Sequence, residues 1–173
     1  MLSPTMQNAL NAQINKEQYS SQFYLAMSGH LASRNFLGFA HWLRVQAEEE
    51  TEHAMKLVDF ILERSGLLEL KPVAAPPQKF DGVIQMFEQA LNHEKENTTS
   101  IHSVFEAARA EKDYASEIAL NWYVTEQVRE ESVICAIVDH LRAVGDQGGA
   151  IWYLDHRMSK RNKGEVLHPT QAY

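Results

Sequence analysis

A single cysteine, Cys135, stands in a chain of 173 residues. One thiol excludes intramolecular disulfides, zinc ribbons and rubredoxin-type iron sites, and it fits a reducing compartment. Basic blocks are absent as well. Lys and Arg total 16 against 23 Asp and Glu, a net charge of −7, which argues against a nucleic-acid-binding surface. An acidic balance suits the attraction of cations, although a charge of this size also serves solubility. No apolar run approaches the ~20 residues of a membrane span. The first ten residues, MLSPTMQNAL, lack the basic start and long apolar stretch of a signal peptide. The expectation is a soluble cytoplasmic protein with neither nucleic acid nor membrane as a partner. Strand patterns are missing too, and the length is ample for a single domain over residues 1–173 with a sizeable core.

What is present is helical periodicity. Ser3-Pro4 reads as an N-cap followed by proline in the first turn, and Leu10, Ile14, Glu17, Tyr24 and Leu31 share a face over residues 4–33. A second helix, 37–65, carries Leu43, Glu50, His53, Leu57 and Ile61 and stops at Ser65-Gly66. Residues 67–80, LLELKPVAAPPQKF, hold three prolines and break the pattern. A connection of this length is not needed between neighbouring antiparallel helices, so it is expected to cross the length of a bundle. The stripe resumes over 82–110 with Phe87, Leu91, Glu94, Ile101 and Phe105. It continues over 114–144, after an Asp113 N-cap, with Tyr123, Gln127, Glu130, Ile134 and Leu141. A short fifth helix is expected over 150–159, before a polar tail. The methionines read as core filler.

The informative pattern lies in the polar residues. Adding 77 to Glu17, Glu49, Glu50 and His53 reaches Glu94, Glu126, Gln127 and Glu130. Glu17, Glu50, Glu94 and Glu130 fall on apolar stripes of four different helices. Glu50 and His53 are three apart and project from one helix face. Unpaired buried carboxylates cost several kcal/mol each, and no Lys or Arg on these stripes offsets them. Four negative charges match two divalent cations, and oxygen-rich ligation with one imidazole suits iron or manganese better than structural zinc. The second half offers Gln127 and Glu130 where the first offers Glu50 and His53, so the two ions are expected to be held unequally.

RVQAEEETEHA at 44–54 and WYVTEQVREE at 122–131 resemble the second- and fourth-helix motifs of the ferritin-like di-iron family, in particular of bacterial non-haem ferritins. The resemblance covers nearly the whole chain. It implies an all-α ferritin-like four-helix bundle with one long crossover and a short fifth helix. It also implies an iron-storage ferroxidase that oxidises Fe(II) with dioxygen or peroxide, a 24-subunit homo-oligomeric cage and no haem. By the same resemblance Glu17, Glu50 and His53 bind the first iron, and Glu50 bridges to a second held by Glu94 and Glu130 with Gln127 nearby. Tyr24 supplies an electron during oxidation. Glu49 and Glu126 would sit towards the cavity as transit or third-site ligands, but Arg129 stands where the family has a further acid.

Near relatives differ in single residues. Thr51 and Glu52 occupy the positions where bacterioferritins place a haem-ligand methionine, and one cysteine cannot make the cysteine pairs of rubrerythrins. His30, His41, His93, His102, His140, His156 and His168 are expected on surfaces or interfaces, and Trp122 has no assigned role. Two other readings stay open at this level: a di-iron oxidase acting on a small organic substrate, and a non-catalytic ferritin-like subunit that only co-assembles.

Overall fold

A computed structural model of the chain describes residues 1–145 and 148–164. Five helices make up the fold: α1 (Pro4–Ser33), α2 (Leu37–Glu63), α3 (Val83–Ala110), α4 (Tyr114–Val144) and α5 (Gly148–Met158). No strand occurs among the described residues. The first four form an antiparallel bundle. Ser21 and Ser28 of α1 donate to the carbonyls of Ala47 and Ala40 on α2, each at 2.7 Å.

Local chemistry sets the ends of these helices. The Ser3 hydroxyl accepts the Met6 N–H at 3.1 Å, with Pro4 in the first turn, where no N–H is needed. Asp113 caps α4 through Ser116 and also takes both Nη atoms of Arg64, at 3.0 and 3.2 Å, tying the end of α2 to the start of α4. α2 stops at Glu63, and the left-handed residue is Ser65 (φ 55°) rather than Gly66. The glycine is needed for closeness instead: a Cβ there would lie 2.9–3.1 Å from Leu2 and Ile61.

The proline-rich connection runs the length of the bundle along α1. An extended segment leaves its backbone polar groups without helical partners, and α1 supplies them from one stripe. The Gln7 side chain accepts the Leu67 N–H at 2.7 Å. Asn11 donates to the Leu67 carbonyl and accepts from the Glu69 N–H, both at 2.9 Å. Asn15 donates to the carbonyls of Lys71 and Pro72 at 3.2 Å. At the far end Arg34 holds the Asp81 carbonyl at 3.2 Å. α3 therefore starts where α2 started, and the second hairpin repeats the first.

α5 lies against the start of α2. The Phe36 N-cap offers no side-chain acceptor. Asp155 of α5 provides one, its Oδ1 accepting the Phe39 N–H at 2.8 Å. Only glycine fits beside it, because a Cβ on Gly38 would stand 1.6 Å from the Asp155 carbonyl oxygen. The polar tail expected after α5 is folded back as far as Gly164: His41 pairs with the Arg161 carbonyl at 2.8 Å, and Arg161 donates to the Trp42 carbonyl at 3.2 Å.

Two apolar clusters fill the bundle. One gathers Tyr24, Leu31, Trp42, Phe87, Ile134 and Leu141, and the other Met6, Leu10, Leu57, Ile101 and Leu120. Each fully buried Leu or Ile contributes roughly 1.5–3 kcal/mol. Met6, Met27, Met86 and Met158 join these cores, whereas Met1 and Met55 are exposed and depart from the core-filler expectation. Between the clusters lies a slab of buried polar side chains.

Candidate metal centre

The slab contains Glu17, Gln46, Glu50, His53, Glu94, Gln127 and Glu130, none more than 4% exposed. The four helices thus bring together the residues that the sequence spacing singles out. Ligand atoms of Glu17, Glu50 and His53 lie within 4.8 Å of one another, as do those of His53, Glu126 and Glu130.

Each carboxylate is held by neutral donors. Gln13 donates to Glu17 at 2.6 Å and to Asn97 at 2.8 Å, and Ser100 holds Gln13 in turn at 2.7 Å. The Tyr24 hydroxyl donates to Glu94, and Gln127 Nε2 donates to the same carboxylate at 3.0 Å. Gln46, one turn before Glu50, reaches Glu50 at 2.9 Å and Glu130 at 2.8 Å. The Tyr123 hydroxyl donates to the His53 carbonyl at 2.6 Å. Gln13, Gln46 and Asn97 escape sequence reasoning because a polar residue one turn from a ligand position looks like any other helix residue, and the stripe position of Tyr123 does not reveal its hydroxyl's partner.

These donors do not make the slab comfortable for negative charge. Burial, then repulsion from Glu50, pushes the Glu17 carboxyl up to about 8. Burial lifts Glu94 to about 7 against the hydrogen bonds from Tyr24 and Gln127. Burial and the Glu94 charge lift Glu130 to about 8, and Glu50 is raised well above its ordinary value by burial, Glu94 and Glu130. Burial and the neighbouring carboxylates likewise raise the Tyr24 phenol. Glu50 Oε2 and Gln46 Oε1 are buried with no hydrogen-bond partner, and the nearest cationic candidate for Glu50, His53 Nδ1, stands 3.5 Å away. Hard oxygen donors with unfilled lone pairs around one imidazole fit a pair of divalent cations.

Beyond His53 the slab opens into a cleft of about 600 Å³ lined by Glu49, Glu126, Arg129, Trp122, Lys56 and Lys163. Trp122 stands edge-on to His53 with centroids 5.1 Å apart, and Lys56 Nζ covers its ring at 3.4 Å. No Lys or Arg lies on the apolar stripes, but two cations reach the site carboxylates from outside them. Arg129 pairs with Glu126, lies 3.2 Å from Glu130 and 3.9 Å from Glu49, and Arg161 pairs with Glu49 from a position 112 residues away in the chain. Arg129 lies off the α4 stripe, and Arg161 comes from the tail after α5, so the stripe pattern reveals neither.

Among the other histidines, His93 is half-buried. It packs on Tyr19, Phe23 and Tyr24 and accepts or donates to Ser20 at 2.7 Å, and burial lowers its pKa to about 4. His41, His102 and His156 are exposed, and His30 and His140 half-buried. His168 lies outside the described residues.

A bundle of four long helices with a crossover and an inward carboxylate slab is of the ferritin-like class, and residues 7–144 match the ferritin-like domain. The chain belongs to the ferritin family. It is 35% identical over 161 residues to the bacterial non-heme ferritin of Bacteroides fragilis (strain 638R), covering 93% of this chain and all of that one. It superposes with a TM-score of 0.92 on the open-pore ferritin of the hyperthermophilic archaeon Archaeoglobus fulgidus, at 43% identity over 93% of this chain and 98% of that one. A humanized archaeal ferritin gives a TM-score of 0.94 at 40% identity, covering 95% of this chain and all of that chain.

Proposed function

We propose that this ferritin stores iron by oxidising Fe(II) within each subunit and depositing the ferric product in a hollow homo-oligomeric shell of 24 subunits. The observation that carries the reading is Glu50 Oε2, buried without a partner among carboxylates that burial drives towards their neutral forms. Such a group is stabilised when cations arrive, so the slab favours Fe(II) and releases protons as it loads.

In this reading Glu17, Glu50 and His53 hold one Fe(II). Glu50 bridges to a second, held by Glu94 and Glu130 with Gln127 alongside. Two Fe(II) lose one electron each, and dioxygen takes up both, becoming hydrogen peroxide with two protons. Peroxide in turn takes two electrons from a further pair of Fe(II) and, with two protons, becomes two water molecules. In this reading Tyr24, bonded to Glu94, stands in for one Fe(II) as the donor of a single electron to the peroxide, and its phenol proton leaves with that electron. Glu49 and Glu126 line the way out. The unequal donors of the two halves support turnover of iron over permanent retention. Among the described residues no helix is long and apolar enough to cross a membrane, and the proposed location is the cytoplasm.

The test is the double substitution Glu50→Ala with His53→Ala. Aerobic Fe(II) oxidation, followed by ferric absorbance, should slow by about 100-fold or more, with helicity and assembled mass unchanged. An unaltered initial rate would sink the assignment.

A further inference from the structure

The cleft that ends on His53 carries an arrangement the oxidation chemistry does not require. Glu49, Glu52 and Glu126 line it, Glu130 lies buried within ligand distance of Glu126, and two guanidinium groups already occupy Glu49, Glu126 and Glu130. Arg129 donates through Nε to Glu126 at 2.9 Å and through Nη2 to Glu126 and Glu130. Arg161 donates to Glu49, and the Gly164 N–H holds the other oxygen of that carboxylate at 2.9 Å.

Arg161 is not an incidental surface cation. Its side chain is 2% exposed and its guanidinium lies 4.2 Å over the Trp42 ring, with one Nη on the Trp42 carbonyl. Its own carbonyl is held by His41, and Lys163 pairs with Glu52 at 2.7 Å. Residues 161–164 therefore form a strap pinned to α2 at His41, Trp42, Glu49 and Glu52. A buried ion pair costs little only while both partners stay in place, so the strap and the carboxylates are mutually dependent.

We propose that Arg129 and Arg161 form a fixed two-cation gate over the mouth of the metal centre. They hold Glu49, Glu126 and the outer oxygen of Glu130 against further metal binding and limit each subunit to two ions. The inference rests on the two-ion reading of the slab. Guanidinium carries one positive charge and cannot be deprotonated under ordinary conditions. Two positive charges therefore stay against these carboxylates at every working pH, and a divalent ion moving outward from His53 has to displace an arginine from its partner. The gate acts through charge and fixed donor geometry and takes no part in electron transfer.

The experiment counts ions on the assembled protein. Equilibrium dialysis against Co2+ without dioxygen, read by metal analysis, should give about two ions per subunit for the native chain and about three for Arg129→Gln with Arg161→Gln, because freed carboxylates become ligands. Arg129→Lys with Arg161→Lys keeps the charges and should stay at two. Arg129→Gln alone leaves buried Arg161 intact and guards against a folding failure of the double variant; its outermost affinity for Co2+ should still rise at least about tenfold. A native count of three, or a glutamine pair and single variant that both match the native protein, overturns the gate. A native count below two instead overturns the two-ion reading.

Discussion

The two hairpins place the same backbone positions around the slab and furnish them differently. In the α1–α2 half, Glu17 is steadied by the amides of Gln13 and Asn97, and Glu50 keeps one oxygen without any donor. In the α3–α4 half, Glu94 is engaged by Tyr24 and Gln127, and Glu130 by Gln46 and Arg129. Of the four carboxylates only Glu50, in the first half, keeps an oxygen without a donor. The repeat locates the candidate centre, and under the proposed two-ion reading this unequal occupancy ranks the ions.

The sharpest way to break that ranking is to remove one carboxylate from each half. Glu50→Ala should lower the initial rate of Fe(II) oxidation about 100-fold, and Glu130→Ala about tenfold. Equal losses in stopped-flow absorbance would mean that the halves are equivalent.

Next in size is the response of the metal-free protein to pH. Glu17, Glu94 and Glu130 have folded values of about 8, 7 and 8 against an ordinary 4.5. Between those limits the folded state binds more protons than the unfolded state. Stability is therefore fully present below about pH 4.5 as far as these groups are concerned, and is lost as pH rises through 7 to 8. Thermal unfolding at pH 9 should come several degrees below that at pH 6, a difference of a few kcal/mol or about 5–10 °C. Saturating Co2+ should cancel most of it. A flat profile without metal would remove the idea that the slab is electrostatically frustrated.

Gln46→Leu tests the donor shared across the halves. It frees one oxygen each on Glu50 and Glu130, and the weaker ion, whose oxygens are the occupied ones, should gain several-fold in affinity by Co2+ titration while the stronger stays within experimental scatter. Loss at both ions together would show that Gln46 serves the slab as a whole. The smallest expected effect is Tyr24→Phe. It removes one hydrogen bond from Glu94, worth about 1 kcal/mol, and should slow oxidation only a few-fold with the ion count unchanged.

Much of this was legible before the fold. A carboxylate on each of four apolar stripes can be read from spacing alone, because burial makes polar intrusions conspicuous. Three prolines in residues 67–80 likewise announce a crossover. The supports were not legible. Gln13, Gln46 and Asn97 are unremarkable polar residues until a neighbouring helix turns them inward. Asp155 caps α2 from 116 residues away, and Arg161 reaches Glu49 from a tail that composition marks only as polar. Long-range pairing of this kind leaves no period in the sequence. The methionine expectation failed at Met55 for a related reason: residue type predicts burial only when the helix face agrees.

The slab between the two apolar clusters gives the bundle an unusual mechanical profile. Most helical bundles are firm at the waist and fray at the ends. Here both ends are clamped, one by Arg64 on Asp113 and the other by Asp155 on Phe39. The waist, meanwhile, is where like charges press outward. Under the proposed function, loading would relieve that pressure, and the cargo would act as a keystone while it is in transit.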